Sequence, residues 1–170
     1  VRLIYGARLN NLNGTDFNLY LIDSFDKLGF KIALYGAKKD SIAITYKKLV
    51  DKYKNIYYFQ DGYSDLNINN LNDKTVLFIG LGTPKQEIWL FDNLDKIISK
   101  NIIAITVGGF FDYVSGYQHR APRIIRKLNL EWMFRLITDP KRNFKKTLRN
   151  FMFLPYLIID FLELNFITKK

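Results

Sequence analysis

The chain has 170 residues, 48% hydrophobic and 25% charged, which suits one globular domain with a real core and excludes both a disordered chain and two large domains. It holds no cysteine and a single histidine, His119, so disulfides, Cys-type zinc sites and His-rich metal sites are excluded, while a metal held by carboxylates stays open. The formal net charge of +10 points to an anionic partner: nucleic acid, lipid headgroups or a phosphorylated substrate.

The chain opens on Val1 rather than Met, with no signal-peptide pattern before the first helical stretch, and reads as a fragment, a processed form or a trimmed chain. Asp16–Leu28 is predicted as a helix that sets Phe17, Tyr20, Leu21 and Leu28 on one face, with Thr15 or Asp16 as its cap. Lys31–Tyr35 follows as a short apolar run ending at Gly36, then a helical stripe over Asp40–Tyr53. Ile56–Phe59, Thr75–Gly80 and Ile102–Val107 are further apolar runs, and each reads as a buried strand. The Asn-rich stretch Leu66–Asn72 reads as a polar surface segment, and Lys85–Lys100 as one helix. Strand and helix alternating at this spacing predict an α/β fold, a Rossmann-like parallel sheet flanked by helices, over residues 1–116.

Residues 117–170 have another character. Ten basic residues lie between Tyr117 and Asn150 against Glu131 and Asp139, leaving the first 116 residues nearly neutral. A basic helical appendage is predicted, with Pro122 and Pro140 opening helices. Its apolar end, Phe151–Ile167, is interrupted by Pro155, Asp160, Glu163 and Asn165. It reads as an interfacial helix on an anionic membrane surface, with core packing as the alternative.

Two loops carry the clearest chemical pattern. Gly80-Leu81-Gly82-Thr83-Pro84-Lys85-Gln86-Glu87 follows a strand and opens a helix, with Thr83 expected at the N-cap and Pro84 at the first helical position. Glycines there allow close backbone approach, and free N–H groups at a helix start suit an anion. A plain strand-to-helix turn is the alternative. Val107-Gly108-Gly109-Phe110-Phe111-Asp112 is a second such loop, and Gly36 marks a third strand end. At the carboxyl ends of parallel strands these would converge on one crevice. Asp112 there either accepts from a base or sugar hydroxyl or caps a helix. Arg120, Arg135, Arg142 and Lys145 suit a phosphate grip, with a solvated basic face as the bland reading.

In order and spacing these segments resemble the WecG/TagA/CpsF family of glycosyltransferases. The matching pieces are Gly14-Thr15-Asp16, Gly80–Glu87, Val107–Asp112, Arg120-Ala121-Pro122, Leu130–Leu136 and Asp139-Pro140-Lys141-Arg142. The resemblance implies transfer of N-acetylmannosamine or a related sugar, with inversion, from a UDP-sugar donor to an undecaprenyl-diphosphate-linked acceptor. That reaction belongs to teichoic acid, common antigen or capsule and exopolysaccharide synthesis. It implies a peripheral protein at the cytoplasmic face of the bacterial inner membrane, often self-associating, with no cofactor, no metal and no nucleic-acid partner.

Among the residues, it assigns Gln86 and Asp112 to the donor and Arg135, Arg142 and Lys145 to a diphosphate. Asp16, Gly36, Gly80, Gly82, Pro84, Lys85, Gly108, Gly109, Phe111 and Arg120 complete the substrate-binding set. The family's Thr-Pro-Asn and Pro-Asp-Gly motifs, the second carrying its expected catalytic base, do not occur here and would lie upstream of Val1. The chain is therefore expected to bind the donor poorly and to turn over little or not at all, and apolar surface left bare would favour aggregation. The family's arginine before Gly-x-Asp is replaced by Asn11, with Arg8 three residues further back.

Three other readings compete. A dinucleotide oxidoreductase would need a fuller glycine fingerprint and an acid where Asn101 and Ile102 stand. A non-catalytic membrane- or nucleic-acid-binding module would rest on the basic tail alone. An inactive shortened paralogue would share the same fold and sites.

Overall fold

The computed structural model describes residues 14–128 and 130–140, together with Phe144 and Leu148. Residues 14–119 belong to one compact unit, and the described residues from Arg120 onward belong to a second.

In the first unit, α1 (Gly14–Lys27) leads into β1 (Ile32–Gly36), followed by α2 (Lys39–Val50) and β2 (Ile56–Gln60). A 3₁₀ turn at Ile68–Asn70 precedes β3 (Val76–Gly80), then α3 (Lys85–Asp92), α4 (Leu94–Ser99), β4 (Ile103–Thr106) and α5 (Phe110–Ser115). The four strands are all parallel, in the order β2-β1-β3-β4. This is the predicted Rossmann-like α/β arrangement.

The two central strands are buried along their whole length, and alternate residues feed two cores. Ile32, Leu34, Val76 and Phe78 pack on one face with Ile22, Ile42, Leu49, Phe110 and Phe111, which places α1, α2 and α5 there. Ala33, Tyr35, Leu77 and Ile79 pack on the other face with Leu66, Ile68, Leu71 and Ile97, under α3, α4 and the 3₁₀ turn. The chain leaves β1 towards one edge of the sheet and β3 towards the other, so the switch in strand order falls between these two strands.

Several expectations need correction. The edge strands are not fully buried: Phe59 on β2 and Ile103 on β4 are exposed, each strand having a neighbour on one side only among the described residues. On α1 it is Asn18 and Ile22 that are buried, with Leu19, Leu21 and Phe25 beside them, while Phe17, Tyr20 and Leu28 face outward. The inward stripe is narrower than the sequence pattern suggests and includes an asparagine. The stretch Leu66–Asn72 is not merely polar surface: Leu66, Ile68 and Leu71 are buried, and Asn67 caps the turn between them by accepting from Asn69 N–H at 3.0 Å.

The single helix predicted over Lys85–Lys100 is two, broken at Asn93, whose side chain donates to the Trp89 carbonyl at 2.9 Å. That bond takes the acceptor a continuing helix would use for a main-chain N–H. In the second unit, α6 (Arg123–Lys127) starts after Pro122, and α7 (Glu131–Thr138) follows it. Ile124, Leu128 and Ile137 are exposed there. Among the described residues no helix is long and apolar enough to cross a membrane.

Candidate active site

The carboxyl ends of the strands meet through glycine. Gly36, last in β1, stands level with Gly80, last in β3, and has φ of +134°. A Cβ on Gly36 would lie 2.4 Å from both the carbonyl carbon and the oxygen of Gly80, so only glycine lets these two strands stay side by side. Just beyond, Ala37 N–H donates to the Gly80 carbonyl at 3.0 Å, and Gly62 N–H donates to the Ala37 carbonyl at 2.9 Å. The ends of β1, β2 and β3 are thereby tied main chain to main chain. On the other side a Cβ at Gly80 would meet the Phe111 ring at 2.5 Å. Phe111 is wholly buried, within the core cluster on that face of the sheet.

Gly82 and Gly108 are of another kind. Both have positive φ, +77° and +56°, yet a Cβ at either would meet nothing within 4 Å. One follows β3 and the other follows β4, so two glycine turns border open space at neighbouring strand ends. Such an edge admits a ligand close to main-chain N–H groups.

Gln86 joins these two turns. It is 5% exposed, and its Oε1 accepts from the Gly108 N–H at 3.1 Å. Its Nε2 donates to Glu87 Oε1 at 2.8 Å, and the Thr83 hydroxyl donates to the same oxygen at 3.2 Å. The Gln86 bond, opposed by some desolvation, holds the Glu87 carboxyl below the usual carboxylate range. Within the chain, then, Gln86 acts as a strut between loops. The helix start also differs from expectation: Pro84, after a cis Thr83–Pro84 bond, stands at the N-cap, and Thr83 bonds a side chain rather than the helix main chain.

The other predicted site residues divide between the two units. Lys85 opens α3 and is exposed, as are Pro84 and Gly109. Asp112 lies in the first turn of α5, part-buried, with Oδ1 accepting from the Ser41 hydroxyl at 3.0 Å. Asp16 is exposed in the first turn of α1, where a carboxylate suits the helix dipole. Arg120 and Arg135 belong to the second unit, Arg135 within α7. Arg142 and Lys145 lie outside the described residues, as do Arg8, Asn11 and the apolar segment Phe151–Ile167.

Two features of the site escaped the sequence reading. Gly62 follows β2 in an Asp61-Gly62 pair, a turn signal visible in the sequence. Ser41, Thr45 and Lys48 on α2 grip α5 by bonds to Asp112, Phe111, Val114 and Ser115, all more than sixty residues away in sequence. No local pattern announces such pairs. Among the described residues no three His, Asp or Glu side chains converge as a metal site requires.

A parallel sheet with glycine turns at its switch point fits nucleotide binding in general, and comparison with known families narrows this. A model of the glycosyl transferase WecG/TagA/CpsF family matches residues 1–165, nearly the whole chain. The chain belongs to that family. It is thus a member of a glycosyltransferase family of cell-surface polysaccharide synthesis, with a sugar donor and an acceptor as the general partners. The segments in which the sequence resembles that family, Gly80–Glu87 and Val107–Asp112, include the strand-end turns described above.

Proposed function

We propose that this WecG/TagA/CpsF member is a hexosyltransferase that takes N-acetylmannosamine or a related sugar from a UDP-sugar. The acceptor is a sugar on undecaprenyl diphosphate, in teichoic acid, capsule or exopolysaccharide synthesis. The observation that carries this reading is the pair of open glycine turns, Gly82 and Gly108, at adjacent strand ends beside the switch between β1 and β3. A nucleoside diphosphate suits this edge, since main-chain N–H groups there offer donors to its oxygens. Asp112 accepts from the nucleoside, and the glycine turns with Lys85 border the diphosphate.

The chemistry asks for stabilisation of a leaving UDP, whose negative charge grows as the sugar bond breaks. Arginines suit that task because a guanidinium matches two phosphate oxygens at once. Arg120, Arg135 and Arg142, with Lys145, are the residues proposed for it on the donor or acceptor diphosphate. The exposed Ile124, Leu128 and Ile137, among basic residues of the second unit, support a peripheral seat on an anionic membrane at the cytoplasmic face. The general base expected of the family is assigned to none of these residues.

Transfer is tested with UDP-N-acetylmannosamine and a polyprenyl-diphosphate-linked N-acetylglucosamine in mixed micelles. A disaccharide-lipid product is expected, and Arg135→Ala with Arg142→Ala should lower its rate at least about a hundredfold, as loss of a charge-stabilising donor set does. Formation of free N-acetylmannosamine alone, or unchanged turnover in the double variant, would count against the reading.

A further inference from the structure

Ser41 is 1% exposed in the first turn of α2, and its hydroxyl has an unusually constrained set of partners. Its oxygen lies 3.0 Å from Asp112 Oδ1 and 2.9 Å from the Ser115 hydroxyl oxygen. The protons can be assigned. An ionised carboxylate only accepts, so the Ser41 proton goes to Asp112. Ser115 then donates either to Ser41 or to the Asp112 carbonyl, 3.1 Å away, and both bonds hold the same turn.

The neighbouring bonds fix the frame around this pair. Thr45 donates to the Phe111 carbonyl at 2.9 Å, and Lys48 Nζ donates to the carbonyls of Val114 and Ser115, both at 3.0 Å. Thr45 and Lys48 grip only the main chain of α5. Ser41 alone in this row bonds the Asp112 side chain. The helices it links follow β1 and β4, the strands that flank β3 on either side.

We infer that Ser41 is a positioning residue for donor binding, one that fixes the rotamer of the Asp112 carboxylate so that it meets a hydroxyl or imide N–H of the nucleoside already oriented. The inference rests on the proposed UDP-sugar reading. A carboxylate held in advance loses less freedom when the nucleotide arrives, so removing its holder weakens binding without touching the ligand.

The test is calorimetric titration of UDP into the purified 170-residue chain, its Ser41→Ala, Ser41→Cys and Asp112→Ala variants, and the Ser41→Ala/Asp112→Ala double variant. Ser41→Ala is expected to raise the UDP dissociation constant about five- to tenfold, within the range for ordering one side chain on binding. Ser41→Cys fills the same space with a poor donor and should lose as much, which keeps the test valid if the alanine variant does not fold. In the Asp112→Ala background, Ser41→Ala should change nothing further.

Parent affinity in Ser41→Cys would overturn the inference, because packing alone would then account for Ser41. An equal loss in the Asp112→Ala background, or no loss in Asp112→Ala itself, would overturn it too while leaving UDP binding intact. A parent chain that binds no UDP would overturn the donor reading and the inference together.

Discussion

Gly36→Ala is expected to destabilise the first unit by about 3–5 kcal/mol, enough to unfold a domain of ordinary stability in part or in whole. Two costs add. The main chain at φ of +134° is a region open essentially to glycine, worth about 1–3 kcal/mol for any other residue. The new Cβ would also sit 2.4 Å from the Gly80 main chain, which cannot give way without loosening the β1–β3 pair and the Ala37-to-Gly80 hydrogen bond. Gly29→Ala is the control, since Gly29 has φ of +77° with nothing within 4 Å, and only strain of about 1–2 kcal/mol applies. Urea unfolding of both variants checks this. Equal midpoints would contradict the close-approach account of Gly36.

Gln86→Leu carries the second large effect. Leucine keeps most of the buried volume but cannot accept from the Gly108 N–H, which the glutamine now satisfies at 3.1 Å. An unpaired main-chain donor costs about 1–3 kcal/mol, and here the cost falls on the turn that borders the proposed donor site. A loosened Gly108 turn should weaken UDP affinity about tenfold or more. The Glu87 carboxyl, freed of the Gln86 amide, should return towards its ordinary range. Its lowered value favours the folded state at neutral pH, an effect lost as pH falls through the folded pKa and small at so exposed a group. UDP titration and thermal melting of the variant measure the two effects. Unaltered UDP affinity would remove Gln86 as a support of the site.

The sheet was legible because its signal is local. Val76–Gly80 is an unbroken apolar run ending in glycine, and a central strand buried on both faces requires such a run. The glycine turns were legible for a similar reason, as Gly82 and Gly108 each follow a strand directly. What failed depended on distant neighbours. The apolar residues of α1 do not say which of them face the sheet, and Asn18 took an inward place while Phe17 did not. Leu66, Ile68 and Leu71 sit among asparagines, and only the core beneath them shows that the segment is pinned. The break at Asn93 came from a side-chain bond that helix periodicity does not register. In the site, Gln86 was visible as a motif residue, but its role as a strut between two turns needed the fold.

The most direct test of the account is a pair of calorimetric titrations of the 170-residue chain, one with UDP and one with NAD. The strand-end turns predict saturable UDP binding and no NAD binding, because the chain lacks the third glycine and the acidic residue that a dinucleotide site needs. Binding of NAD in preference to UDP, or of neither, would contradict the claim that Gly82, Gln86 and Gly108 border a UDP-sugar site in this chain.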